Sequence, residues 1–209
     1  MKNQNKIFIP VLVMMIIAFS GSALKAGITT LNLKCYLEGF YNPAANQMIK
    51  PIPVTISLVS YPPFFNVYST NAVLDINGNA SGVNIDIPVN SGYWVKINNW
   101  NMIETWSTSP FVFTIGGTTD VDLTLQADST FGSNAKLIDL SPVRWGIFGG
   151  DVNHDTYVDL SDLIMVFNES YFYATGNIFS DLTGDEMTDV DDMIICDNNS
   201  SEFIATIRP

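Results

Sequence analysis

The sequence predicts a mainly β protein, an antiparallel sandwich of immunoglobulin-like or transthyretin-like character, followed by a small α-helical unit. Apolar and polar residues alternate with a period of two through residues 27–147, which is typical of half-buried strands. Turns rich in Asn and Gly separate these runs. After residue 148, two acidic twelve-residue segments, thirty residues apart, each lead into an apolar pattern of helical period.

The N-terminal segment, residues 1–26, has the three parts of a secretory signal peptide. Lys2 and Lys6 precede an apolar run over residues 7–19, and small residues follow up to Ala26. The run is shorter than the roughly 20 residues that a membrane span needs. We expect cleavage near Ala26 and a secreted protein, extracellular or at the cell surface, with no membrane contact afterwards. An uncleaved anchor is the alternative.

Residues 27–147 are predicted to form the β-sandwich domain, with seven or eight short strands. Strands of this number and spacing, separated by turns, favour a sandwich. The alternation is clearest in residues 31–37, 54–58, 83–87, 93–97, 102–106, 111–115 and 121–125.

Five aromatic residues of this region admit two interpretations. They could form a platform on which a polysaccharide stacks, or they could pack in the core, and alternation alone does not say which face is exposed. A polysaccharide is therefore kept as a second candidate partner. The five residues are Tyr93, Trp94, Trp100, Trp106 and Trp145.

Residues 148–209 are predicted to be a calcium-binding unit with two loops, which we call loop one (residues 151–162) and loop two (residues 181–192). Side-chain oxygens at positions 1, 3, 5, 9 and 12, with a main-chain carbonyl at position 7, give the ligand spacing of an EF-hand-type loop. The predicted ligands are Asp151, Asn153, Asp155, Tyr157, Asp159 and Asp162 in loop one, and Asp181, Thr183, Asp185, Met187, Asp189 and Asp192 in loop two.

The ligand chemistry predicts two Ca²⁺ ions, because calcium is a hard cation that prefers six to eight oxygen ligands. We expect loop two to bind more weakly, since the hydroxyl of Thr183 replaces a carboxylate or amide at position 3. Position 6 of such loops is usually Gly, which tolerates positive φ. Thr156 and Glu186 stand there instead. Each helix is too short to be stable alone, so metal binding and folding of this unit are expected to be coupled.

The charge of the chain is concentrated in the same unit. From Gly150 onward there are thirteen Asp or Glu residues and one basic residue, Arg208. This favours cation binding and argues against nucleic acid as a partner. Enzymatic activity is not expected and no catalytic residues are predicted. The only histidine, His154, lies at a non-ligand loop position, and the remaining carboxylates are scattered.

With two such loops, each followed by a helix and each with Asp at position 12, residues 149–209 resemble a type I dockerin. The matching residues are Gly150-Asp-Val-Asn-His-Asp155 and Val158-Asp-Leu-Ser-Asp162-Leu. The β segment is weakly similar to modules that precede dockerins in some secreted bacterial proteins.

The resemblance implies a secreted adaptor that docks onto a cohesin-like domain, in polysaccharide degradation or surface assembly. It also implies that loop positions 10 and 11 contact the partner; here these are Leu160, Ser161, Val190 and Asp191, which differ from the family's common Ser-Thr pair. The alternative is a calcium-stabilised structural or carbohydrate-binding surface protein without a cohesin partner.

The chain has two cysteines, Cys35 in the first predicted strand and Cys196 after loop two. In an exported protein an even pair could form a disulfide, which would tie the two domains together. Two buried free thiols fit the sequence equally well.

Overall fold

The computed structural model describes residues 26–209. The predicted signal peptide therefore lies outside the described residues, apart from Ala26, which begins the first strand. Within the described range no helix is long and apolar enough to cross a membrane.

The strands are β1 Ala26–Lys34, β2 Tyr41–Asn42, β3 Gln47–Met48, β4 Ile52–Ser60, β5 Asn66–Leu74, β6 Asn79–Pro88, β7 Gly92–Asn98, β8 Thr105–Trp106, β9 Phe111–Val112, β10 Thr118–Asp122, β11 Lys136–Leu140 and β12 Val143–Gly146. The α-helices are α1 Leu160–Tyr171 and α2 Val190–Ser201.

Two sheets form the sandwich. The first has the order β10-β1-β6, and the second has the order β5-β4-β7-β8, with β9 also paired to β7. The pairing is antiparallel except that β1 runs parallel to β10, with Leu33 opposite Val121. β2–β3 and β11–β12 are separate hairpin pairs. The prediction of a mainly antiparallel β protein with few helices is confirmed.

The core lies between the two sheets and continues into the C-terminal unit. Leu31 and Ile85 of the first sheet and Ile56 and Ile97 of the second are all buried in one apolar cluster. The same cluster includes side chains that follow the sandwich, namely Val152, Val158, Val166, Leu182 and Cys196. Burial of this shared apolar surface stabilises the C-terminal unit against the sandwich.

Some strand predictions differ from the structure. Of the runs 102–106 and 111–115, only Thr105–Trp106 and Phe111–Val112 are strands. β5 was not predicted, because it is an edge strand that is largely exposed and so lacks a strong apolar alternation. The β11–β12 pair was missed as well; its turn contains Pro142 and its outer residues are exposed.

The candidate sugar-binding aromatics do not form an exposed platform. Tyr93, Trp94 and Trp106 are buried, and Trp94 packs edge-on against Phe131 with ring centroids 5.4 Å apart. Trp100 and Trp145 are partly buried. These side chains therefore have packing roles.

Both cysteines are free thiols in the structure, and both are fully buried. Burial raises the pKa of the Cys35 thiol, and it raises the pKa of the Cys196 thiol to about 12, with a further contribution from the Asp162 carboxylate to the latter. The interdomain disulfide is not formed.

Candidate functional site

The C-terminal unit is a duplicated loop–helix structure whose two halves match at a shift of thirty residues. α1 and α2 are each twelve residues long and start directly after position 9 of their loops. Asp159 and Asp189 are the N-caps, and each forms a capping box with the Asp three residues later. The sequence repeat is therefore a repeat of local structure.

The position-12 carboxylates connect the start of each loop to the helix that follows it. Oδ1 of Asp162 accepts hydrogen bonds from the backbone N–H groups of Val152 and Asn153, at 2.9 and 3.1 Å. Its Oδ2 accepts from the N–H of Asp159 at 3.0 Å. Asp192 makes the equivalent three bonds in loop two. Burial raises the pKa of both carboxyls.

The two halves are joined crosswise by short backbone bridges. The N–H of Val158, within loop one, donates to the carbonyl of Ile204, which follows α2, at 2.8 Å. Reciprocally, the N–H of Thr188 donates to the carbonyl of Ala174, which follows α1, at 2.7 Å. Each loop is thus supported by the segment that leaves the opposite helix.

Position 6 has positive φ in both loops, 81° at Thr156 and 74° at Glu186. Position 4 does as well, at His154 in loop one and Gly184 in loop two. A β-branched residue such as Thr is strained in this region. Loop one is therefore the more strained of the two at both positions.

In loop one, a buried carboxylate oxygen lacks a partner. Asp151 is 2% exposed, and its Oδ1 has no hydrogen-bond partner. Burial, followed by the carboxylates of Asp162 and Asp155, raises the pKa of Asp151 to about 6. No basic side chain offsets this negative charge, since no Lys or Arg of the described residues pairs with a loop-one carboxylate.

In loop two, the equivalent carboxylate is satisfied. Asp181 Oδ1 accepts from the N–H of Gly184 at 2.6 Å, and Oδ2 accepts from the N–H of Glu186 at 3.1 Å. Lys50, between β3 and β4, places its Nζ 3.6 Å from Oδ2 of Asp181. At position 3, the buried Oγ1 of Thr183 has no hydrogen-bond partner.

The donor sets fit a hard cation in composition, because every predicted ligand offers oxygen. Two ligand atoms, Oδ1 of Asp151 and Oγ1 of Thr183, are buried without partners, a condition that a bound cation would relieve. Within the described residues, however, no three Asp, Glu, His or Cys side chains are grouped closely enough to hold a metal ion. Several predicted ligands bind loop amides instead, as Asn153 does with the N–H of Asp155.

Asn101 of the sandwich forms hydrogen bonds at the start of both loops. Its backbone carbonyl accepts from the N–H of Gly150 at 2.8 Å, and its Nδ2 donates to the carbonyl of Asp181 at 2.7 Å. Sequence analysis did not identify Asn101, Lys50 or Glu38 as part of this unit. They lie far from it in sequence, and only the tertiary structure brings them to it.

Each of the two packed helices exposes apolar side chains to solvent, and we call these residues together the paired helix face: Leu160, Ile164, Phe167, Val190 and Ile194. Leu160 and Val190, predicted as partner contacts, are 66% and 61% exposed, and Ser161 and Asp191 are also exposed. The inner sides of the helices are instead filled by Val166 and Cys196. A hollow of about 300 Å³ lies between the helices, lined by Leu163, Val190, Met193, Ile194 and Asp197.

No family model and no curated protein sequence matches the chain. Among solved structures, it is similar to a chain of a C-terminal interface mutant of the type II Cohesin-X-Dockerin complex from Acetivibrio cellulolyticus, with 17% identity and a TM-score of 0.50. The match covers 84% of this chain and 99% of that chain. The match therefore extends beyond the β strands of the chain, the last of which ends at Gly146. An N-terminal interface mutant of the same complex matches with 16% identity and a TM-score of 0.43, over 86% of this chain and 99% of that one.

The assignment to the type I dockerins is wrong. The similar structures come from a type II complex, no family model matches, and the C-terminal unit contains only two α-helices among its described residues. The assignment depended on loop spacing, which reflects the ligand number that calcium requires and is shared by unrelated proteins. At 17% identity, the structural match shows the fold alone.

Proposed function

We propose that this chain is a secreted docking protein, in which a two-loop, calcium-binding unit carried on a β-sandwich presents the paired helix face to a protein partner. The partner we propose is a β-sandwich domain of the cohesin kind. The complex that contains the similar chain with a TM-score of 0.50 supports a partner of this kind, because cohesin is one of its components.

The observation that carries the proposal is the exposure of matched apolar residues on adjacent helices. Ile164 and Ile194, thirty residues apart, are 50% and 51% exposed, next to the similarly exposed Leu160 and Val190. Large apolar side chains exposed at matched positions on two packed helices are typical of an interaction surface. The surrounding Asp191 and Asp197 carboxylates are exposed as well, which favours a partner with basic residues at the rim.

Calcium has a structural role in this proposal. Each loop sets the start of one helix through the position-9 and position-12 aspartates, and hence the position of that helix in the paired face. Two Ca²⁺ ions would bring four positive charges to a unit with thirteen acidic residues. Docking is therefore expected to depend on calcium, and the extracellular concentration of calcium is sufficient for weak sites.

The proposal can be tested by affinity capture with defined variants. The wild-type chain and the double variant Leu160→Glu/Val190→Glu are immobilised and exposed to secreted proteins of the source organism, with calcium or with EDTA. We expect wild type to retain a β-sandwich protein only in calcium, and the double variant to lose it. Purified candidate and wild type should then bind directly by calorimetry.

A matched control is available on the sandwich. Val73 of β5 is 60% exposed, close to the 61% of Val190, but lies on the edge strand of the second sheet. Val73→Glu should bind as wild type does. Retention by the double variant, or calcium-independent retention by wild type, would contradict the proposal.

A second candidate function is a structural one, in which the loop unit only stabilises its own sandwich. The shared core and the bonds that Asn101 makes to both loop entrances favour it. It predicts calcium-dependent stability without any calcium-dependent partner, so the capture experiment distinguishes the two.

A further inference from the structure

The two loops differ in what balances their negative charge. Near Asp181 of loop two, the ammonium of Lys50 is 3.6 Å from Oδ2, and it is also 3.8 Å from Oε1 of Glu186 at position 6. Its Nζ is buried and makes no hydrogen bond, so it interacts with these carboxylates as a charge. Loop one has no such cation among the described residues.

The position of Lys50 is fixed by the sandwich. Its Nζ lies 5.8 Å from the centroid of the Phe40 ring, and Phe40 is a fully buried core side chain. The same ring packs so closely against Gly184, position 4 of loop two, that a Cβ there would collide with it. The equivalent residue of loop one, His154, is exposed. Loop two and Lys50 therefore both pack against the Phe40 ring of the sandwich.

We propose that Lys50 is the built-in counter-ion of loop two, which keeps this loop formed without metal and competes with calcium for Asp181. The inference rests on the proposed function for the part that concerns calcium. A bound Ca²⁺ would approach the same carboxylate that Lys50 faces, and two cations at one carboxylate repel each other. Loop one, with the unpaired Oδ1 of Asp151, is the loop that needs the ion.

This assignment gives the two loops different tasks. Loop one, and with it the start of α1, responds to calcium at lower concentration. Loop two keeps α2 in place in the absence of metal and fills only at higher concentration, after Lys50 is displaced. The weaker hydroxyl ligand at Thr183 acts in the same direction. Half of the paired helix face is then preformed, and calcium completes the other half.

The test compares the full chain with Lys50→Met, which removes the charge but keeps an apolar stem against Phe40. Calcium titration by calorimetry should give wild type one tighter and one weaker site, and the weaker Kd should fall by about tenfold in Lys50→Met, because ligand and site charge tune calcium affinity. In EDTA, amide exchange at Gly184 and Glu186 should be faster in Lys50→Met than in wild type, while exchange in loop one stays the same.

Lys34→Met is the matched control. Lys34 also lies over an aromatic ring, with its Nζ 5.9 Å from the centroid of Tyr36, and it forms no ion pair with either loop. It should behave as wild type in both measurements. Lys50→Arg retains the charge, so the Kd of its weaker calcium site should stay close to that of wild type.

The outcomes separate this inference from the proposed function. Unchanged amide exchange of loop two in EDTA would overturn the counter-ion role, whatever calcium does. Faster exchange together with an unchanged weaker Kd would overturn the competition with calcium. Calcium binding to neither loop in any variant would refute the proposed function, yet faster exchange in EDTA would still support Lys50 as the counter-ion.

Discussion

Asn199 of α2 and Glu38 of the segment after β1 form a partly buried hydrogen bond, with Nδ2 of Asn199 2.6 Å from Oε2 of Glu38. The same oxygen accepts from the N–H of Gly149 at 3.2 Å, and Nδ2 of Asn199 also donates to the carbonyl of Gly149. The three groups close a ring between the sandwich, the start of the C-terminal unit and its second helix. Lys136 of β11 adds an ion pair to Glu38 at 3.8 Å.

Replacing Glu38 should weaken the attachment of α2 to the sandwich. We expect Glu38→Ala to lower the free energy of unfolding by about 1–3 kcal/mol, because it leaves buried donors without their acceptor. Glu38→Gln keeps an acceptor oxygen and should retain most of the stability. Denaturant unfolding at constant calcium measures both. Equal stability of wild type and Glu38→Ala would contradict the role given to this contact.

The contribution of Glu38 to the free energy of unfolding should depend on pH, and the direction of that dependence follows from its pKa. Burial raises the pKa of Glu38, although the bonds from Asn199 and Gly149 and the charge of Lys136 act against the rise. The folded protein therefore holds this proton more tightly than the unfolded chain, and the contribution of Glu38 to stability decreases as pH rises through the folded pKa. The stability of wild type minus that of Glu38→Gln should fall as pH rises from the ordinary glutamate range towards neutrality. A difference that rises with pH would show that the sign is wrong.

Relieving the backbone strain in loop one should stabilise the protein. Thr156 has a φ of 81°, where a β-branched residue is disfavoured and Gly is not. Thr156→Gly should raise the free energy of unfolding by about 1 kcal/mol, the order of the left-handed penalty for L-residues. The bond that the Thr156 carbonyl accepts from the N–H of Thr206 is a backbone bond and is kept.

Thr108 provides the control for this glycine substitution. It is exposed and does not have positive φ, so Thr108→Gly should destabilise by about 0.5–1 kcal/mol through chain entropy alone. Denaturant unfolding in calcium and in EDTA compares the two. Destabilisation by both substitutions would mean that position 6 is not strained.

The sequence predicted local structure better than it predicted the surroundings of the loops. The spacing of Asp151 to Asp162, and its repetition from Asp181, placed both loops and the start of both helices, because capping and turn chemistry act over a few residues. It did not predict that Lys50 faces Asp181 or that Asn199 reaches Glu38, since these contacts depend on how the sandwich and the unit pack together. The outward direction of Ile164 was also not evident, because an apolar stripe alone does not say whether it meets the core or a partner. For Leu160, a partner contact was expected only from the family resemblance.

The two thiols should report separately on the sandwich and on α2. Cys35 and Cys196 are both fully buried, and burial raises the pKa of both, so neither should react with iodoacetamide in the calcium-loaded protein. In EDTA we expect both thiols of wild type to stay protected, because Lys50 keeps loop two and α2 formed without metal. In Lys50→Met we expect Cys196 to be alkylated faster than Cys35. Peptide mass spectrometry over time measures each site. Alkylation of Cys196 in EDTA that is as fast in wild type as in Lys50→Met would show that Lys50 does not keep α2 formed without calcium.

The sharpest test of calcium in loop one uses Asp151, because its effect should change sign with the metal. The carboxylate is 2% exposed with an unpartnered Oδ1, and at about pH 7.5, above its pKa of about 6, it is charged. Asp151→Asn removes that buried charge at nearly constant volume. In EDTA the variant should therefore be more stable than wild type by about 1 kcal/mol or more.

In calcium, wild type should instead be more stable than Asp151→Asn. A site that is filled at about 100 times its Kd adds about 2.7 kcal/mol to the free energy of unfolding. For a chain of this size that corresponds to a rise of roughly 5–10 °C in the melting temperature. Wild type should gain this stability and Asp151→Asn should gain only what loop two contributes. Asp128→Asn, an exposed aspartate in the sandwich region, should follow wild type in both conditions. Thermal unfolding by circular dichroism measures the stability of all three proteins. If Asp151→Asn is less stable than wild type in EDTA, or is stabilised by calcium as much as wild type is, then Asp151 is not a ligand of a bound cation.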